Sequence, residues 1–149
     1  MTARDDVRKL HAARFVEHFV GQDERNPVAI AAALATLKTM KEQNLNDRAR
    51  HIGEILTKHL RDLQERCGIA GDVRGRGAMI ALEFVTPGTK DPNPEALKAI
   101  VRECNQHGLI ALTCGEFANV LRLLPPLVIS DDQLDDGLNV LSSAILNVS

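Results

Sequence analysis

The chain has 149 residues, and its 18 Lys and Arg against 20 Asp and Glu give a formal charge of −2. That length suits one ordinary domain with a single core, and a small charge without a basic stripe argues against a polyanionic partner such as nucleic acid. Only 3% of the residues are aromatic, all of them Phe, which leaves no platform for stacking bases.

The cysteines and the hydropathy pattern indicate the compartment. Cys67, Cys104 and Cys114 are an odd set without CxxC spacing, which favours reduced thiols over a disulfide or zinc framework. No apolar run approaches the roughly 20 residues of a membrane-spanning helix. The segment Met1 to Asp6 lacks the basic-then-apolar layout of a signal peptide. The sequence therefore predicts a cytoplasmic protein without a membrane partner.

The first third of the chain is predicted to be helical. Residues 1–25 are expected to form an amino-terminal helix, over about Arg4 to Val20, and a polar connector. Asn26 can cap a second helix that begins at Pro27 and runs to about Gln43. Because residues Val28 to Leu37 of this helix are apolar nearly all round, the helix should be buried or covered by a partner. The helix after it carries one apolar stripe: Leu45, Ala49, Ile52, Leu56, Leu60 and Leu63. These last two helices predict a helical hairpin.

Glycines mark a change of structure after Gly68. A short strand near Asp72 to Arg74, a glycine turn and a longer strand from Ala78 to Val85 predict a first pair of strands. Asn93 can start another helix, for which Gly108 is the expected stop.

Two more strands are predicted after that helix, over Leu109 to Leu112 and over Asn119 to Leu124. Ser130 and Gln133 have the spacing of a capping box and begin the last helix. The order, helices followed by β-β-α-β-β-α, predicts an α+β domain with a small antiparallel or mixed sheet of about four strands packed by helices. The amino-terminal helix and the hairpin precede it.

One charged residue stands in the apolar stretch NVLRLLPPLVIS. If this stretch is a strand, alternation puts Arg122 on one face with Val120 and Leu124. A guanidinium among apolar neighbours loses several kcal/mol of hydration unless it is paired, and its planar fork fits a carboxylate. The partner could be internal, Glu83 or Glu116, or a ligand, or Arg122 could be solvated; the residues alone leave these alternatives open.

The motif GDVRGRG has two interpretations. It precedes a strand, whereas a phosphate-binding loop opens a helix, so turn glycines are favoured over an anion site. Arg74 and Arg76 could support a bound anion, but such arginines more often pair with nearby carboxylates, here Asp72 or Glu83.

The remaining polar candidates favour structural roles. The five histidines show neither triad nor metal spacing, and surface or helix-end positions are expected for His11, His18, His51, His59 and His107. Cys114 lacks a base that would make it a nucleophile. No metal site is predicted.

Three segments, NPVAIAAALATLKTMKEQNLNDRARHIGEILTKHLRDLQ, GDVRGRGAMIALEF and NVLRLLPPLVISDDQL, resemble the carboxy-terminal part of the class III pyridoxal-phosphate aminotransferases, and within them the members that act on 4-aminobutyrate. The resemblance begins near Asn26, so we expect a divergent region over 1–25 and an aminotransferase small domain over 26–149. It implies helices packed on a short antiparallel sheet. It also implies that Arg122 binds the carboxylate of the amino acid or of 2-oxoglutarate.

Other parts of the family pattern are missing. The Schiff-base lysine, the acidic partner of the pyridinium nitrogen and the phosphate cradle lie in an upstream large domain of the family, without a counterpart here. No motif supports any of the six lysines: Lys9, Lys38, Lys41, Lys58, Lys90 and Lys98. The family's T-[FY]-G-G run, whose Thr touches the cofactor phosphate, is replaced by Gln22 to Arg25. We therefore expect no catalytic residue and no cofactor in the isolated chain, although pyridoxal phosphate serves the family.

Three functional hypotheses follow, and they leave open whether the chain is an enzyme. The first is that the chain is a truncated, split or decayed relative of these aminotransferases, inactive alone, for which a separate large-domain chain is one candidate partner. The second is that it is a structural module that self-associates, as a dimer, through its apolar helices. The third is that it is a weak carboxylate-binding domain that uses Arg122 without chemistry.

Overall fold

The structure, a computed structural model, describes residues 26–149. The predicted amino-terminal helix and connector, with the segment from Gln22 to Arg25, lie outside the described residues. Two compact units divide the chain between Asn44 and Leu45. The predicted boundary between residues 25 and 26, which comes from the family resemblance, stays a prediction.

The first unit contributes helix α1, Pro27–Glu42. Its start is as predicted, because the Asn26 side chain accepts hydrogen bonds from the backbone N–H of Val28 and Ala29, at 3.0 and 3.3 Å. No residue of α1 is buried, and Leu34 is 62% exposed. The expectation of burial was therefore wrong for the described residues, since apolar composition does not say what lies against a helix. Cover by a partner stays a prediction.

The second unit has three helices and four strands. In chain order they are α2 (Leu45–Arg66), β1 (Ala70–Arg76), β2 (Met79–Phe84), α3 (Pro94–Gln106), β3 (Leu112–Cys114), β4 (Val120–Leu123) and α4 (Asp131–Val148). This order confirms the predicted α+β class. Two predicted caps are also present, Asn93 before α3 and the Ser130–Gln133 capping box before α4.

The four strands form one antiparallel sheet in the order β1-β2-β4-β3. The last strand in sequence is thus an interior strand. The third strand was misplaced: it runs from Leu112 to Cys114, and the predicted span began at Leu109. The backbone N–H of Leu109 instead donates to the carbonyl of Cys104 at 2.9 Å, and Gly108 has φ 81°. This hydrogen bond makes Leu109 part of the cap at the end of α3, so β3 begins only at Leu112.

The core lies between the helices and one face of the sheet, here called the inner face. Leu82, Phe84 and Leu121 from this face are 0% exposed. Helix α2 approaches the β1–β2 turn so closely that a Cβ on Gly53 would lie 2.2 Å from the carbonyl oxygen of Gly77. Within residues 26–149, no helix combines the length and apolarity needed to cross a membrane.

Candidate functional site

Arg122 lies on the opposite side of the sheet, here called the outer face. The strand register places it directly across from Ala81 of β2 and from Leu112 of β3. Ala81 in turn faces Arg74 of β1, so one cross-strand row contains two arginines separated by a small residue. Arg122 is exposed, and the next residue back, Leu121, is fully buried. The predicted alternation along β4 is therefore present.

Arg122 has no acidic partner among residues 26–149. Of the alternatives left open from the sequence, the described residues agree with a solvated Arg122, because its side chain reaches solvent. Neither of the two internal partners considered from the sequence, Glu83 and Glu116, forms an ion pair with it. Its planar donor group thus remains available to a carboxylate.

A polar network occupies the neighbouring part of the outer face. Nη1 of Arg74 donates to Asp72 Oδ2 at 2.8 Å and to Glu83 Oε2 at 2.7 Å. These bonds raise the pKa of the Arg74 guanidinium, the bond to Asp72 having the larger effect. The second carboxylate oxygen of Glu83 accepts from Nδ2 of Asn119 at 3.4 Å. The network follows the sequence prediction for Arg74, and it occupies both oxygens of Glu83.

Asn119 anchors the turn before β4. It is the one buried polar residue among those the structure describes, and it is 2% exposed. Its Nδ2 donates to the carbonyl of Phe84 at 2.9 Å, and its own carbonyl accepts from the N–H of Phe84 at 2.8 Å. Both bonds tie the residue three positions before Arg122 to the end of β2. They hold β4 in register with its neighbour.

A cavity of about 360 Å³ lies beside Arg122 at the β3–β4 edge of the sheet. Its walls come from the turn after α3, the segment after β4 and helix α4, and they include Leu109, Leu112, Leu124, Pro125, Leu134 and Leu138. Arg122 is the only charged residue among its lining residues. Gln133 adds a second polar side chain, and an apolar wall with a few polar groups is typical of small-molecule sites.

Arg48 of α2 fixes the segment that forms one wall of this cavity. Its guanidinium donates to the carbonyls of Leu127, at 3.4 Å, and Ile129, and to Asp131 Oδ1 at 2.6 Å. His51 contacts the other oxygen of Asp131 at 3.0 Å. Hydrogen bonds from His51 and, second, Arg48 lower the pKa of Asp131. Sequence reasoning missed Arg48, because its acceptors lie 79 to 83 residues away and two of them are backbone carbonyls.

The histidines and cysteines that the structure describes lie at helix ends, in contacts between elements, in the core or, for Cys114, in β3. His59 contacts Ser142 at 2.6 Å, and His107 sits at the end of α3 with its ring 2.9 Å from the carbonyl of Glu103. His11 and His18 lie outside the described residues. Cys67 and Cys104 are buried free thiols, Cys114 is a half-buried one, and burial raises the pKa of Cys104. In the part of the chain that the structure describes, no three metal-binding side chains cluster.

The described residues do not assemble a site for pyridoxal phosphate. Their five lysines are all exposed, on helices or in the loop before α3: Lys38, Lys41, Lys58, Lys90 and Lys98. None belongs to a strand of the sheet that carries Arg122. Of the glycines of GDVRGRG, Gly71 and Gly75 lie in β1 and Gly77 lies in the turn to β2; none of them opens a helix. No step of chemistry can be assigned to these residues through that cofactor.

Comparisons with known proteins agree with this geometry. The family pattern described as aminotransferase class-III matches residues 19–145. The 4-aminobutyrate aminotransferase of Mycobacterium leprae is 50% identical over 117 residues, which is 78% of this chain and 26% of that protein. The 5-aminovalerate aminotransferase of Pseudomonas putida is 43% identical over 124 residues, covering 83% and 29%.

Solved structures give the same result. A Bacillus anthracis aminotransferase superimposes with a TM-score of 0.74 at 30% identity, over 82% of this chain and 28% of that one. The chain thus spans little more than a quarter of the length of these relatives. Members of this class carry pyridoxal phosphate in their full-length form. The family match and the identities over most of the chain show that it belongs to the class III aminotransferases.

Proposed function

We propose that residues 26–149 act as the small-domain part of a 4-aminobutyrate-type aminotransferase, in which Arg122 binds the substrate carboxylate. The proposal rests on the surroundings of Arg122. An interior strand fixes the position of its backbone and its side chain is exposed. No acidic residue among those described pairs with it. A fixed arginine without a partner presents two parallel donors to a carboxylate.

The two curated relatives suggest the class of substrate. One acts on 4-aminobutyrate and the other on 5-aminovalerate, as their names state. Both molecules are linear, with an amine at one end and a carboxylate at the other. An arginine that holds the carboxylate would set the distance at which the amine reaches the reacting centre. The role proposed for Arg122 is therefore orientation, and the amino transfer itself depends on the large-domain part of such an enzyme.

A chimera tests this proposal. The aligned 117-residue segment of the Mycobacterium leprae enzyme would be replaced by the matching residues of this chain. We expect a transaminase whose KM for 4-aminobutyrate rises when Arg122→Ala is introduced. Arg102→Ala, an exposed arginine on α3, is the matched control and should leave KM unchanged. A folded, cofactor-loaded chimera in which Arg122→Ala changes nothing would contradict the proposal.

The purified chain provides a second test. Incubated with pyridoxal phosphate, 4-aminobutyrate and 2-oxoglutarate, it should show no turnover, and borohydride reduction should leave no cofactor adduct detectable by mass spectrometry. Turnover, or one stoichiometric adduct at a single lysine, would show that the chain has a cofactor site of its own.

We also propose that the isolated chain self-associates through α1. Val28, Leu34 and Leu37 of this helix are 75%, 62% and 51% exposed, and apolar side chains repeated along one helix favour a partner. Sedimentation of the purified chain should show a dimer, which Leu34→Glu should dissociate. Thr36→Glu, an exposed change on the opposite side of the same helix, is the control. A monomer at high concentration would overturn this second proposal.

A further inference from the structure

The strand register places Glu83 diagonally across from two arginines, Arg74 of β1 and Arg122 of β4. Ala81 of β2 faces Arg74 on one side and Arg122 on the other. Glu83 is two residues further along β2 and on the same outer face. It is therefore the diagonal neighbour of each arginine, at about 7–8 Å between Cα atoms, a separation that long side chains bridge.

The structure shows only one of these two pairings. Glu83 Oε2 lies 2.7 Å from Nη1 of Arg74, and its other oxygen accepts from Asn119. No ion pair links Glu83 to Arg122 within residues 26–149. Asp72, the other carboxylate of the same face, is also held by Arg74, at 2.8 Å. Arg74 thus pairs with both carboxylates, Asp72 and Glu83, on this part of the outer face.

We infer that Arg74 is a positioning residue for the carboxylate site, because it holds Glu83 away from Arg122 and so keeps Arg122 free for substrate. This inference rests on the proposed role of Arg122. Without Arg74, the Glu83 carboxylate loses its cationic partner, and Arg122 is the next arginine within its reach. An internal Glu83–Arg122 pair would compete with the substrate carboxylate for the same donors.

The solvent exposure of the side chains indicates how strongly Glu83 would compete with a substrate carboxylate for Arg122. The side chains of Arg74 and Glu83 are 50% and 30% exposed, so a replacement pair with Arg122 would be a surface pair in high dielectric. A surface ion pair is formed only part of the time. A Glu83–Arg122 pair would lower the fraction of Arg122 that is free to bind a ligand, so the apparent affinity for a carboxylate should fall about 1.5- to 5-fold.

Arginine side-chain NMR of the purified, ligand-free chain tests the inference without any substrate. The Nε–Hε signal of Arg122 would be assigned by its loss in Arg122→Ala. In the parent, rotation about the guanidinium C–N bonds of Arg122 should be fast. Arg74→Ala should slow this rotation and shift the signal, since Glu83 would pair with Arg122. Arg74→Ala combined with Glu83→Gln should restore the parent signal.

A 2-oxoglutarate titration of the same samples, against chloride at matched ionic strength, measures the consequence. Arg74→Ala should weaken the response of the Arg122 signal about 1.5- to 5-fold, and the added Glu83→Gln should recover it. Arg74→Lys keeps the cation and should behave like the parent. Glu116→Gln, added to Arg74→Ala in place of Glu83→Gln, should rescue nothing.

The outcomes separate the two proposals. If Arg74→Ala shifts the Arg122 signal and Glu83→Gln reverses the shift, the inference holds, whether or not 2-oxoglutarate binds. If 2-oxoglutarate binds at Arg122 but the Arg122 signal ignores both substitutions, the inference is wrong and the proposed function stands. If Arg74→Ala loses its fold by circular dichroism, Arg74→Gln takes its place with the same expectations. Rescue by Glu116→Gln would also overturn the inference.

Discussion

The two faces of the sheet differ although the same strands form both. On the inner face, Leu82 and Leu121 are fully buried against the helices. On the outer face, Arg74, Glu83 and Arg122 reach solvent or one another. Because successive side chains of a strand point to opposite sides of the sheet, a shift of one position along the strand changes the environment of a side chain from buried to exposed. Leu121 and Arg122 are adjacent in sequence and lie on different faces.

This contrast separates stability from recognition. Burial of apolar area on the inner face accounts for most of the stability of the second unit. The outer face contributes exposed ion pairs, which stabilise little, and its charges remain available for binding. We therefore expect inner-face substitutions to change unfolding and outer-face substitutions to change ligand affinity. Four predictions compare buried with exposed positions of the sheet and of its helices, from the largest effect on stability to the smallest.

Leu121→Ala should have the largest effect. The side chain is 0% exposed in the middle of the sheet, so its truncation removes apolar contacts and leaves a cavity. Unfolding free energy should fall by about 2–5 kcal/mol, measured by urea denaturation of the purified chain. A loss of unfolding free energy as small as that at an exposed position would contradict the assignment of stability to the inner face.

Gly53→Ala tests the helix layer behind the inner face. A Cβ at this position would lie 2.2 Å from the backbone oxygen of Gly77, so α2 or the turn must move. We expect a loss of about 1–3 kcal/mol, although Ala favours a helix by about 1 kcal/mol over Gly. Gly137→Ala on α4 is the matched control, because its nearest neighbour is 3.6 Å away. The control should be neutral or stabilising; an equal loss in both variants would contradict the packing argument.

Asp131 should make an exposed, pH-dependent contribution. His51 and Arg48 lower its pKa in the folded state, so the contribution is complete above the unfolded-state pKa, about 3.9, and is lost as pH falls through the lower folded-state value. Asp131→Asn should therefore reduce the acid sensitivity of the urea midpoint as pH falls from about 5 to below about 3.9. An unchanged pH profile would show that the ion pair does not contribute.

Arg122→Ala should have the smallest effect on stability. The side chain is exposed and pairs with no acidic residue among those described, so the unfolding free energy should stay within about 0.5 kcal/mol of the parent. Urea denaturation beside Leu121→Ala gives the direct comparison of adjacent residues. A loss near that of Leu121→Ala would mean that Arg122 is part of the core.

Local signals in the sequence predicted most of the fold. The caps at Asn26, Asn93 and Ser130 and the alternation along β4 depend only on nearby residues, and all are present. The third strand was misplaced because the end of α3 continues to Leu109 through one backbone hydrogen bond. Strand order could not be read from the sequence, since pairing β4 between β2 and β3 depends on distant segments.

The site was predictable only in part. Arg122 stood out as a single charge in an apolar stretch, but its neighbours in sequence did not reveal that its face of the sheet is open. Pairing of Arg74 with Asp72 and Glu83 was expected from proximity in the sequence and is present. The hydrogen bonds from Arg48 to the segment after β4 could not be predicted from a local sequence pattern, because they join residues 79 to 83 positions apart.

The most direct test of the carboxylate role compares two amines in the chimera described above, 4-aminobutyrate and butan-1-amine, which lacks the carboxylate. A charged hydrogen-bonded pair is worth about 1.5–3 kcal/mol, so Arg122→Ala should lower kcat/KM for 4-aminobutyrate about 10- to 150-fold. The value for butan-1-amine should not change. An equal fall for both amines would show that Arg122 does not act through the substrate carboxylate.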